Sequence, residues 1–200
     1  MNVQGKIDFP SEQKKVLLHT CCAPCSSAII EYLLANGIEP VIYYCNPNIH
    51  PYEEYVIRKD ECTRYAEALG LEIVDADYDH QQWLGAVRGL ENEPERGGRC
   101  MECFRFRLLM TARYARERGI DVITTTLASS RWKSLEQIDA AGIWACEAAS
   151  AEEKDGAASV TWWGRNWRKG GLQERRLQII KEYDFYNQLY CGCEYSKRND

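Results

Sequence analysis

The sequence predicts an α/β protein, a parallel sheet of about five strands flanked by helices, with a cysteine-containing C-terminal tail. Three observations predict it. Short β-branched or apolar runs alternate with longer amphipathic stretches along the chain. Gly37, Gly70 and Gly119 follow the first three long amphipathic stretches, as glycines do at helix C-termini. The chain has 200 residues, 45% hydrophobic, enough to bury a core as one domain over 1–200, with residues 1–14 as an N-terminal tail.

Lys15 to His19 reads as a buried strand, followed by the loop Thr20-Cys-Cys-Ala-Pro-Cys25. Ser26 is a candidate N-cap for a helix over Ser27 to Asn36. Pro40 to Tyr44 is the second strand, and Asn46 to Pro51 a loop punctuated by two prolines. Tyr52 to Leu69 is a long amphipathic helix, and Glu72 to Asp75 a short strand. Ala76 to Arg99 is irregular, with a helix near Gln81 to Arg88. Cys100 to Arg118 is helical, Asp121 to Thr125 a strand, and Ser134 to about Lys154 a helix. Val160 to Trp163 is a fifth strand and Leu172 to Tyr183 a last helix. The tail, 184–200, carries Cys191 and Cys193. In parallel α/β sheets ligands sit beyond the C-terminal strand ends. Cys21, Cys22, Cys25, Cys45 and the segment Thr126 to Ser130 all collect on that edge.

Composition excludes several classes. Twenty-two aromatic residues argue against disorder. Met1 to Lys15 has no apolar stretch of signal-peptide length, and no segment reaches the roughly 18 apolar residues of a membrane span. A cytoplasmic protein without membrane partners is expected. The net charge of −5 is wrong for a general nucleic-acid coat. The charge is uneven, however. Arg96 to Arg118 holds seven Arg against two Glu, and Arg165 to Arg176 four Arg and one Lys against one Glu. Two basic segments suit a local polyanion site, or two solvated helix faces. Trp162, Trp163 and Trp167 lie among Arg165, Arg168 and Lys169. Such interleaving suits stacking on single-stranded nucleotides, although a strand must turn one of these Trp residues inward.

Ten cysteines are too few for a disulfide scaffold. Clustered cysteines in a reducing compartment are metal ligands or redox groups. Cys21, Cys22, Cys25, Cys100 and Cys103 sit at helix N-termini, where thiolates are favoured. Adjacent Cys21 and Cys22 suit an iron–sulfur cluster, whose irons are separate attachment points. Zinc remains open, because Cys100-Met-Glu-Cys103 is one clean knuckle and Cys22-Ala-Pro-Cys25 a possible second. A disulfide across Cys191-Gly-Cys193 closes a very small ring and is easily reduced, which suits a relay. Further metal ligation and a structural role are the alternatives. Cys45, Cys62 and Cys146 read as buried thiols, Cys45 least securely. His19, His50 and His80 form no metal-ligand motif, and no phosphate-binding glycine loop is present.

Taken together the motifs resemble the cobalamin-independent epoxyqueuosine reductase family, QueH. The resemblance rests on Leu17 to Ser26, Asn46 to Pro51, Arg99-Cys-Met-Glu-Cys103, Thr124 to Leu127, Asn166 to Gly171 and Tyr190-Cys-Gly-Cys193. It implies a fold similar to ATP-pyrophosphatase-type nucleotide-binding proteins, with Cys21 to Cys25 in place of their pyrophosphate loop. It implies reduction of the epoxide of epoxyqueuosine to queuosine at the tRNA wobble position, the last step of queuosine biosynthesis. It implies a 4Fe–4S cluster on Cys21, Cys22, Cys100 and Cys103, a redox-active disulfide of Cys191 and Cys193, and a second, mononuclear metal, with iron the candidate, beside Cys25. Arg105, Arg107, Trp167 and Arg168 are the tRNA-contact candidates, and an electron donor is a required partner. Two departures stand out: Arg131 where Pro is expected after Ser130, and Cys45 where an aromatic is usual. The rival readings are a sulfur-transferring tRNA-modifying ATP pyrophosphatase and a zinc-stabilised RNA-binding module without redox chemistry.

Overall fold

The computed structural model describes residues 7–152 and 159–196. Five strands form one all-parallel sheet in the order β3-β2-β1-β4-β5. They are β1 (Lys15–Thr20), β2 (Glu39–Tyr44), β3 (Ile73–Asp75), β4 (Val122–Thr125) and β5 (Thr161–Trp162). The α/β class and its parallel five-stranded sheet are therefore as the sequence predicts. Val16 to Thr20 and Pro40 to Tyr44 are buried along their lengths, as strands covered on both faces must be. In register, Leu17 lies between Val41 and Ile123, and His19 between Tyr43 and Thr125.

The helices are α1 (Ala23–Ala35), α2 (Tyr52–Ala68), α3 (His80–Ala86), α4 (Gly98–Glu117), α5 (Leu135–Ala151) and α6 (Leu172–Glu182). α1 packs on α2 and α6, and α4 packs on α5, giving two helical layers around the sheet. Ser134 caps α5 by accepting from the Gln137 N–H, and Asp79 caps α3 through the Gln82 N–H. The expected end of α5 near Lys154 lies outside the described residues, as do the ends of both tails. Among the described residues no helix is long and apolar enough to cross a membrane.

One boundary differs in a way that matters. α1 begins at Ala23 rather than after a Ser26 cap, and Cys22, in extended conformation, is its N-cap. Pro24 explains this: a residue with fixed φ and no N–H fits the first helical turn, where N–H groups have no intrahelical acceptor. Ser26 instead turns its hydroxyl back to the Cys22 carbonyl, 3.1 Å away. The cysteine loop is thereby the first turn of a helix. Differences at the other ends amount to a few residues, as with β5, which pairs over only two.

Gly142 on α5 faces β5 so closely that a Cβ there would overlap the Trp162 indole. The Gly142→Ala protein is expected to lose about 1–3 kcal/mol of stability, as overpacked cores do. That is a fall of several degrees in a thermal-unfolding scan.

Candidate active site

The strand order reverses between β1 and β4, which opens a crevice at their C-terminal ends. Cys21 follows β1, and its N–H donates to the Thr126 hydroxyl just beyond β4 at 3.2 Å. Cys21 and Cys22 sulfurs are 3.9 Å apart, and with Cys25 they form a group within 4.8 Å of one another. Hydrogen bonds from the Cys22 and Cys25 thiols hold Cys21 well below the ordinary thiol range, and the Thr126 hydroxyl and Arg107 add to this. Burial pushes Cys22 up, and hydrogen bonding to Cys21 pushes Cys25 up to about 12.

Cys100 and Cys103 lie on the first two turns of α4, facing a cavity that Cys191 and Cys193 also line. The tail reaches it by docking on α2. Phe185 is buried, Tyr186 donates to Glu54 at 2.8 Å, and Arg58 donates to the Tyr190 carbonyl at 3.1 Å. Gly192 makes the final approach. Its φ of +102 and a Cβ position only 2.7 Å from the Ile49 side chain leave room for no other residue. Gln188, further up the tail, donates to the Cys22 sulfur at 2.8 Å, so the tail touches both cysteine groups. Cys191 and Cys193 are both free thiols. The Cys193 thiol, donating to Cys191, holds Cys191 well below its usual range, helped by Lys133; the same bond drives Cys193 upward.

Two cations stand over these sulfurs. Arg107 is buried and donates to Asn46 Oδ1, to the Cys45 carbonyl at 3.2 Å and toward the Cys103 sulfur at 3.9 Å. His19 donates or accepts at Thr125 Oγ1, 2.7 Å, and contacts the same Cys45 carbonyl at 3.1 Å. Burial, and then Arg107, push its imidazole down to about 3. The ring is therefore neutral, with its Nε2–H donated to Cys45. Lys133 lines the cavity. Burial opposes its charge, but Cys191 and Cys21 outweigh burial and the ammonium ends above its ordinary value. Among the described residues neither Arg107 nor Lys133 pairs with a carboxylate.

Cations without carboxylate partners in a cavity lined by four cysteines require anionic partners, because uncompensated buried charge is costly. Thiolates holding a metal provide them. Cys21, Cys22 and Cys25 are close enough to ligate one ion, whereas Cys100 and Cys103 stand outside that group. A donor set split between two helix starts fits a polynuclear cluster better than a single tetrahedral ion. The residues present thus fit a cysteine-held metal centre.

The expected RNA contacts need correction. Trp167 is in the core, edge-on to Trp163 and Tyr32, and Arg107 is buried in the network above. Neither offers a surface to RNA. Arg168 is half-buried, with its guanidinium on the Lys133 carbonyl at 2.7 Å, so it supports the loop that carries Lys133. Arg105 remains partly exposed, paired with Glu102 and stacked on Trp144. Sequence reasoning missed Lys133 and Gln188, which belong to no motif, whereas Asn46 lies at the strand edge and in the Asn46–Pro51 motif that the sequence marks. It also missed Trp132, which is 65% exposed beside Lys133 with Arg131 over its ring. An exposed aromatic next to a basic residue was the available signal.

Comparison with known proteins adds a family. The model described as "Epoxyqueuosine reductase QueH" matches residues 16–199. A protein of that name from Histophilus somni is 47% identical over 98% of this chain and 78% of its own length. One from Haemophilus influenzae is 46% identical over 98% and 77%. One from Thermotoga maritima is 33% identical over 90% and 89%.

The docking of the tail can be tested without substrate. Gly192→Ala should leave the thermal transition within a few degrees of wild type while exposing Cys191 and Cys193. Their reaction with a thiol reagent should accelerate several-fold; an unchanged rate would show that Gly192 is not what seats them.

Proposed function

The chain belongs to the epoxyqueuosine reductase QueH family, and on that premise we propose how its residues divide the work. The protein is an oxidoreductase that reduces epoxyqueuosine to queuosine in tRNA, which sets aside the non-enzymatic zinc module. One observation carries the assignment of roles. The Cys191–Cys193 pair and the Cys100–Cys103 pair line one cavity with three cations, Arg99, Arg107 and Lys133, that pair with no carboxylate among the described residues.

Cys21, Cys22, Cys100 and Cys103 would hold a 4Fe–4S cluster, and Cys25 would help hold a second, mononuclear iron. When bound, these groups supply one-electron transfers and a Lewis acid. The chain's own chemistry is that of the Cys191/Cys193 dithiol. Both epoxide C–O bonds break and a carbon–carbon double bond forms. The oxygen leaves as water with two protons, and the two thiols become one disulfide. An external electron donor returns the disulfide to the dithiol. Its small ring makes that return easy.

Lys133 is the group placed to meet the oxygen. Its ammonium lines the cavity, and negative charge develops on the oxygen as the first C–O bond breaks. Asn48 Oδ1 and Trp83 Nε1, two further lining residues, have buried polar atoms without partners and would contact the nucleoside. Trp132 and Arg131, exposed next to Lys133, would stack on a neighbouring anticodon base, and Arg105 would contact phosphate. A tRNA substrate supports a cytoplasmic location for the reaction.

Anaerobically purified protein is expected to carry about four iron and four sulfide per chain, with slightly more iron if the second site fills. Cys100→Ser should lose most of both. Cys191→Ser and Cys193→Ser should retain them yet form no queuosine from epoxyqueuosine tRNA, read by mass analysis of digested nucleosides. Loss of iron in these two variants would make them ligands and end the relay assignment.

Lys133→Met should lower kcat about 100-fold or more with iron content unchanged. Trp132→Ala should weaken tRNA binding by about 1–3 kcal/mol. Arg105→Glu should reduce the salt dependence of that binding, measured by filter retention across a salt series.

A further inference from the structure

His50, His80 and Glu194 come from three separate segments, yet their ligand atoms all lie within 4.8 Å of one another. We propose that they bind one divalent transition-metal ion, separate from the cysteine centres, which clasps the C-terminal segment to the body of the protein. The inference does not rest on the roles assigned to the cysteines.

The hydrogen bonding of His80 carries it. Its Nδ1 lies 2.6 Å from the Pro47 carbonyl, which can only accept, so Nδ1 carries the proton. Its Nε2 lies 3.2 Å from Glu194 Oε1. With Nδ1 committed to the carbonyl, Nε2 is the atom left to ligate, and it faces a carboxylate. Two electron-rich groups held face to face call for a cation between them. A backbone carbonyl fixing one imidazole nitrogen so that the other can ligate is the usual support of a metal-bound histidine. A contact between His80 and Glu194 alone assigns no role to the third donor, His50. His50 stacks on His80, with ring centroids 5.1 Å apart and planes 19° apart, and brings its own nitrogen into the group. Among the described residues no lysine or arginine pairs with Glu194.

Imidazole ligands select zinc-like or iron-like ions over calcium or magnesium. Tetrahedral zinc with bonds of roughly 2.0–2.1 Å needs donors about 3.3 Å apart. His80 Nε2 and Glu194 Oε1 already stand 3.2 Å apart, and His50 is exposed. Two histidines and one carboxylate leave a position for water, so the site would be open.

The consequence lies in where the donors are anchored. Glu194 follows Cys193 directly. The His50 N–H donates to the Gly192 carbonyl at 2.9 Å, and the His50 carbonyl accepts from the Tyr190 hydroxyl. Bound metal would thus tie the Cys191-Gly-Cys193 turn to the loop 46–51 and to α3. Occupancy would set how firmly that turn is seated over the cavity.

Zinc is the probe. Anaerobically purified full-length protein, its cysteine-bound metal in place, is titrated with Zn²⁺ against a competing chelator, and the bound zinc is examined by X-ray absorption. One further zinc per chain is expected, with only nitrogen and oxygen neighbours near 2.0–2.1 Å. His80→Gln and Glu194→Gln should each weaken its binding at least about tenfold. Glu194→Gln is a surface isostere that keeps the variant folded, and far-UV circular dichroism checks His80→Gln. Zinc should also slow protease cleavage within 183–190 several-fold in wild type and not in Glu194→Gln. No additional zinc, a sulfur neighbour at about 2.3 Å, or unchanged affinity in both variants overturns the site. Unchanged cleavage overturns the clasp.

Discussion

A buried guanidinium holds this site together. Arg107 projects from α4 into the C-terminal edge of the sheet and bonds Asn46, the Cys45 carbonyl and the Cys103 sulfur. Asn46 in turn donates to the Thr20 carbonyl at the end of β1, at 2.8 Å. One side chain therefore fixes the end of β2 and the α4 cysteines, and through Asn46 the end of β1. Without a carboxylate among the described residues to balance it, its charge has to be met by sulfur. That links the stability of the fold to the ionisation of the cysteines. The position suits cysteines that could hold a metal at two helix starts.

Around this anchor the parallel sheet supplies the geometry. The reversal of strand order at β1 and β4 leaves a crevice, and α1 begins at its edge with Cys22 as N-cap. Pro24 is what allows the helix to start there. The helix places three sulfurs within 4.8 Å of one another, close enough to share one proton-poor centre. His19 supports the same edge from within β1, kept neutral by burial so that it serves as a donor and not as a charge.

The tail completes the site from the far end of the chain. It is bound to α2 through Glu54 and Arg58, to Cys22 through Gln188, and to the loop before α2 through Gly192. These contacts are mostly polar, and they are made to buried residues: Glu54, Arg58 and Cys22 are each less than a tenth exposed. The attachment brings Cys191 and Cys193 to the cavity that Cys100 and Cys103 line. The His50, His80 and Glu194 group lies where an ion would regulate it.

The sequence by itself determined the α/β class, the parallel sheet, the order of elements, the cysteine groups and the family they resemble. Those features are local or periodic: a strand alternation, a glycine after a helix, a Cys-x-x-Cys spacing. It misjudged what burial decides. Arg107 and Trp167 sit in basic, aromatic stretches that read as an RNA surface. Their side chains point inward because the helix face and the turn that carry them face the core. Lys133 and Gln188 have no neighbours in sequence to mark them, and only the folded chain brings them to Cys191 and Cys22. The same holds for His50, His80 and Glu194, whose spacing of 30 and 114 residues matches no ligand motif. Tertiary structure decided these because contacts between distant residues depend on the path of the backbone, and no local pattern encodes that path.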